Sequence, residues 1–120
     1  MKIVVTAQEA DLEGPVDPRF GRAQHFVVFD SENGTHEAHS NEQNLTAPQG
    51  AGIQAAQAVA RTGAQAVLTG HVGPKAFRTL EAAGIAVYSG VNGTVAEAIE
   101  SWKTDQLKPS SKADVDGHWM

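Results

Sequence analysis

Two kinds of segment in this 120-residue chain carry chemistry suited to holding an anion. Arg19 and Arg22 flank Phe20-Gly21, and a guanidinium presents a planar fork of donors that suits multidentate anion contact better than an ammonium. Gly70-His71-Val72-Gly73-Pro74 is the second kind, a loop with two glycines and then Pro at the first position of a helix. A loop of that shape aims backbone N–H groups and the positive end of a helix dipole at one spot. Pro74 has no N–H, so the useful donors come from Gly73, Lys75 and Ala76, and the Lys75 side chain is expected to reach back over the loop, its plainer alternative being to face water. His71 could donate to an anion, contact a soft metal, or simply cap the strand end.

Gly50-Ala51-Gly52 and Asn92-Gly93-Thr94 repeat the pattern before two other helices. Each motif has a plainer alternative. Both arginines could pair with Glu9, Asp11, Glu13 or Asp17 of their own loop. Gly50 to Gly52 could be a simple helix start after Pro48, and Thr94 is expected to cap its helix whatever else it does. His36 and His39 look like a metal pair, but strand positions three apart face opposite sides. His118-Trp119-Met120 offers copper-friendly atoms in an expected tail. Phe26, Phe29, Phe77 and Trp102 read as core.

These segments need a frame to bring them together. Lys2–Thr6 and His25–Asp30 are β-branched or aromatic runs and read as strands, separated by a long loop over residues 7–22 rich in Gly and Pro. Asn33-Gly34 is a strong hairpin signal, which makes Thr35–Asn41 an antiparallel partner polar enough for a sheet edge. Past residue 50 the rhythm becomes helix–strand alternation. Ile53, Ala56 and Ala60 mark one helix face, ended by Gly63. Ala66–Thr69 is a short buried strand; Phe77, Leu80 and Ala83 follow at helical spacing, with Gly84 past the helix end. Ile85–Tyr88 is the last strand. Thr94-Val95-Ala96-Glu97 matches a capping box ahead of the stripe Val95, Ala98, Ile99 and Trp102.

The order β-β-β-α-β-α-β-α predicts a three-layer α/β domain over residues 1–102, with a five-stranded mixed sheet, three helices and a flexible tail over 103–120. Right-handed crossovers give the strand order 3-2-1-4-5 with strand two antiparallel. Every glycine-bearing loop then emerges at the carboxyl edge of the sheet, where ligands bind in open α/β sheets.

Composition narrows the ligand. Nine basic against fourteen acidic residues give a net charge of −5, which disfavours nonspecific nucleic-acid or anionic-membrane binding. The N-terminal apolar run is too short for a signal peptide or a membrane span, so the cytoplasm is the expected location. With no cysteine, the chain has no disulfide, no thiolate metal ligand and no cysteine nucleophile.

Asp17-Pro18-Arg19-Phe20-Gly21-Arg22-Ala23, Gln49-Gly50-Ala51-Gly52, Thr69-Gly70-His71-Val72-Gly73-Pro74-Lys75-Ala76 and Gly90-Val91-Asn92-Gly93-Thr94-Val95, after Met1-Lys2-Ile3-Val4-Val5, resemble the dinitrogenase iron–molybdenum cofactor-binding family over residues 1 to 102. That resemblance implies a ribonuclease-H-like fold and a noncatalytic carrier. It implies a cargo held by the Arg19–Arg22, Gly50–Gly52, Gly70–Ala76 and Asn92–Thr94 segments, and partners such as cell-division-type ATPases. The missing thiols favour the branch that holds a molybdenum–copper–sulfide cluster of two tetrathiomolybdate units bridged by copper. Such a cluster is anionic and brings its own sulfide. The alternatives are a nitrogenase-type iron–molybdenum cofactor precursor or a phosphate or nucleotide. No Walker-type motif supports a nucleotide, and strand one lacks the carboxylate that two-metal hydrolysis uses.

Overall fold

Ile3-Val4-Val5 and Phe26-Val27-Val28-Phe29 carry side chains that fit a pleated surface, and they lie side by side at the centre of the sheet. The computed structural model describes residues 1–41 and 50–111. Its strands are β1 (Lys2–Ala7), β2 (His25–Asp30), β3 (Thr35–Ser40), β4 (Ala66–Leu68) and β5 (Ala86–Tyr88). Its helices are α1 (Ala51–Arg61), α2 (Pro74–Ala82) and α3 (Val95–Lys103). The sheet order is β3-β2-β1-β4-β5, with β2 antiparallel to both neighbours and β4 and β5 parallel to β1. Strand order, strand directions and helix count agree with the sequence reading.

Alternation along the strands divides the interior into two layers. Val4, Phe26, Val28 and Val67 face α1 and α2, meeting Ala55, Ala56, Val59, Phe77 and Leu80. Ile3, Val5, Val27, Phe29 and Leu68 face α3, meeting Val95, Ala98 and Ile99. α1 is rotated from its expected face: Ala55, Ala56 and Val59 are buried, while Ile53 is half-buried and Ala60 exposed. The small side chains on that face let α1 pack closely against α2. All six residues of β3 are exposed, as its polar sequence predicts for an edge. The hairpin before it uses four residues, 31–34, with Gly34 at φ 72°.

The described part of the segment after α3 runs back to the sheet. Lys103 still belongs to the helix, with its ammonium 5.1 Å from the centre of the Phe29 ring. The chain then turns through Asp105 at φ 62° and packs Leu107 on the α3-side core. Ser110 donates its N–H to the Val87 carbonyl (2.6 Å) and shares a 2.6 Å hydroxyl contact with Ser89. Residues 104–110 thus return to the carboxyl end of β5. His118-Trp119-Met120 lie outside the described residues.

Candidate functional site

The loops that follow β1, β4 and β5 are joined at the carboxyl edge by backbone hydrogen bonds. The Asp17 N–H donates to the Thr6 carbonyl (2.8 Å), extending β1 into its loop. His71 donates to Pro18 (2.8 Å), and Phe20 donates back to His71 (3.1 Å). Gly90 donates to the Gly70 carbonyl (2.7 Å) and Val16 to that of Gly93 (2.9 Å). Gly70 is required by this closeness: a Cβ there would lie 2.6 Å from the Pro18 Cα and carbonyl oxygen. The loop before α1 is described from Gly50 onward, so Gln49 lies outside the described residues.

Within the first loop the predicted residues divide. Arg19 is exposed, half-buried Arg22 follows three residues on, and Gly21 is buried. Arg19 makes no ion pair among the described residues, so for it the plainer alternative of pairing with a loop carboxylate is not what the fold adopts. Phe20 departs from the expectation of a ligand contact. It is fully buried, with its ring centre 6.1 Å from that of Phe26, and it anchors the loop from beneath. Its core neighbours include Ala23, Val72 and Ala76, which puts the arginine loop on the α1/α2 side of the sheet.

Two residues that shape this loop were not singled out from sequence. The buried Asp17 carboxylate accepts the N–H groups of Arg19 (3.1 Å) and Gln24 (3.2 Å). The buried Asn41 amide donates to the carbonyls of Gly21 (3.1 Å) and Ala23 (2.9 Å). Asp17-Pro18 carries a turn signal that could have marked the first. Asn41 has no local signal, because its partners lie 18 and 20 residues away.

The three helix starts are not equivalent. α1 begins at Gly50 (φ 79°) and α2 at Gly73 (φ −82°, ψ 170°), and neither has a side-chain cap. The N–H groups of Ala51, Gly52, Ile53, Lys75 and Ala76 have no hydrogen-bond partner among the described residues. Ala51 and Ala76 are only 2% and 1% exposed. Buried N–H groups of this kind normally find a partner, because leaving one unpaired costs about 1–3 kcal/mol. α3 is the opposite case. Its capping box is complete, with Glu97 N–H to the Thr94 hydroxyl (3.1 Å) and Thr94 N–H to the Glu97 carboxylate (2.8 Å). Val95 and Ala96 donate to the carbonyls of Gly14 and Leu12, both at 2.9 Å. These hydrogen bonds from Thr94 hold the Glu97 carboxyl below its ordinary value of 4.5. Asn92, Gly93 and Thr94 therefore sit at the same edge beside a helix start whose donors are already spent.

Val72 lies wholly in the core and Gly73 is also buried, while His71 is half-buried between the two loops that its backbone joins. Lys75 is exposed at the start of α2 and forms no ion pair among the described residues. No group of three metal-ligating side chains occurs among the described residues. His36 and His39 pair across the hairpin with Phe29 and Phe26, which face different layers, and His39 Nε2 lies 3.1 Å from Glu37 Oε1. Among the described residues, no helix is long and apolar enough to cross a membrane.

Comparison with known proteins fits this geometry. The apo form of the orange protein from Desulfovibrio gigas superposes with a TM-score of 0.93 at 44% identity, covering 95% of this chain and 96% of that one. TM1290 from Thermotoga superposes with a TM-score of 0.83 at 31% identity, covering 97% and 98%. Protein MJ0580 of Methanocaldococcus jannaschii is 27% identical over 95 residues, covering 78% of this chain and 80% of its own. Residues 1–105 match the family described as dinitrogenase iron-molybdenum cofactor, and the chain belongs to that family.

Proposed function

We propose that the protein is a noncatalytic carrier of an anionic metal–sulfur cargo, held without covalent bonds at the carboxyl edge on the α1/α2 side. The observation that carries this reading is the set of N–H groups without a partner among the described residues at the starts of α1 and α2, on the side of the sheet that carries Arg19, Arg22 and Lys75. Each favourable helix terminus contributes roughly 0.3–1 kcal/mol, which is too little alone. Hydrogen bonds to charged groups add about 1.5–3 kcal/mol each, so the arginines decide retention. His71, between the joined loops, is the residue that could touch a soft metal of the cargo.

The cargo we infer is a molybdenum–copper–sulfide cluster of two tetrathiomolybdate units bridged by copper. Its support is the likeness to the orange protein, family membership and a chain with no thiol of its own. A cluster whose metals already carry sulfide needs donors and cations from the protein, not thiolates. A nitrogenase-type cofactor precursor is the second reading, supported by the same family membership. Exchange of the cargo with a partner such as a cell-division-type ATPase, in the cytoplasm, belongs to the same proposal.

Reconstitution with tetrathiomolybdate and a copper salt tests it. The protein is expected to become coloured and to retain molybdenum and copper at two to one, with an affinity that falls as salt rises. A protein that stays colourless after desalting would remove the proposal, and dialysis against nucleotides checks the phosphate alternative.

A further inference from the structure

Asp17 is the only carboxylate among the described residues that the fold buries, at 4% exposure, and it lies in the loop that carries the arginines. A buried negative charge beside an anion site is unexpected unless its lone pairs are used locally. They are. Oδ1 accepts the N–H of Arg19 (3.1 Å) and Oδ2 that of Gln24 (3.2 Å), so one side chain spans the arc between them. Its own backbone is fixed to the sheet: the N–H donates to Thr6, and the carbonyl accepts the Thr6 hydroxyl at 2.8 Å. That hydroxyl also lies 2.8 Å from the Thr69 hydroxyl, just beyond β4. The side chain opens onto a groove of about 310 Å³ lined by Gln8, Pro18, Arg19 and Gln24.

We propose that Asp17 is a positioning residue: its carboxylate sets the shape of the 18–24 arc and thereby where Arg19 and Arg22 stand for the cargo. This rests on the carrier reading above. An ionised carboxylate suits the task because both oxygens are acceptors, whereas an amide has one acceptor and would oppose an N–H with another donor. Gln24 leads into β2 and Pro18 is joined to His71, so the arc is anchored on both sides and the Asp17 carboxylate ties its two ends to each other.

The test compares Asp17→Asn with Thr6→Val, a control that removes a buried hydroxyl bonded to the Asp17 backbone but leaves the carboxylate in place. Amide hydrogen exchange is read first, without cargo. Asp17→Asn is expected to accelerate exchange at Arg19 and Gln24 by about 10-fold or more while the β1 and β4 amides stay as in the parent. Tetrathiomolybdate with copper(I) is then added, and retention is expected to weaken by about 10-fold in Asp17→Asn and to be near parental in Thr6→Val. Unchanged exchange at Arg19 and Gln24 overturns the proposal, and so does faster exchange with parental retention. Equal weakening by Thr6→Val also overturns it, because the effect is then general loosening. A parent that takes up no cargo removes the carrier reading instead, and the exchange comparison still decides whether Asp17 holds the arc. If Asp17→Asn does not fold, the unmodified protein decides: the Arg19 and Gln24 amides must be protected from exchange as hydrogen-bonded donors are, and exchange at the rate of free loop amides overturns the proposal.

Discussion

The start of α3 and the starts of α1 and α2 stand at the same edge of one sheet and solve the same problem in opposite ways. Every helix begins with N–H groups that have no partner within the helix. At α3 the fold supplies all of them, through Thr94, Glu97 and the carbonyls of Leu12 and Gly14. At α1 and α2 glycine stands where a capping side chain would be, and the donors behind it have no protein partner among the described residues. Topology alone makes the three ends look alike. Only the hydrogen bonding separates an end whose donors are all paired from two ends whose donors have no partner among the described residues.

That contrast is broken most severely by charge. Arg22→Glu is expected to weaken cargo retention by about 100-fold, measured by competition dialysis, since it removes a charged donor and adds repulsion on the α1/α2 side. Asn92→Asp, at the capped end, is expected to change retention far less; equal effects would erase the distinction between the two sides. Gly73→Ser makes α2 resemble α3. Its extended backbone accepts an L-residue, and a serine hydroxyl there takes the Ala76 N–H. Retention is expected to fall by about 5–10-fold while stability rises by roughly 0.3 kcal/mol, as seen by dialysis and thermal unfolding.

Thr94→Ala is the reciprocal change. It is expected to lower stability by about 1 kcal/mol, a melting shift of about 4 °C, with retention unchanged. A loss of cargo in that variant would bring α3 into the site. The smallest effect is acidic. Because the fold holds the Glu97 carboxyl below 4.5, its contribution is complete above that ordinary value and is lost as pH falls through the lower folded one. The melting difference between the parent and Glu97→Ala should therefore be present at neutral pH and fade as the pH falls below 4.5.

Much of this was legible from short-range signals. The β-branched run at Ile3–Val5, the Asn33-Gly34 turn, Pro74 and the Thr94–Glu97 box each act within a few residues, and together they set strand order and helix starts. What could not be read is long-range. The inward face of α1 depends on how closely its alanines approach α2, so the expected stripe through Ile53 and Ala60 was rotated. Phe20 stands between two arginines in a polar loop, and only the fold shows that its ring belongs to the core. Asn41 reaches back across the β2–β3 hairpin to the arginine loop, a contact that no local pattern announces.

The returning segment after α3 has a consequence for how copies of the molecule can associate. In β5 the hydrogen bonds to β4 are made by Ala86 and Tyr88, which leaves the backbone N–H and carbonyl of Val87 pointing away from the sheet, and that carbonyl is taken by Ser110. The other margin, β3, presents six exposed residues. End-to-end growth of a fibre by strand addition needs two open margins on every subunit. Among the described residues this sheet has one, so strand addition there would join two copies and then stop.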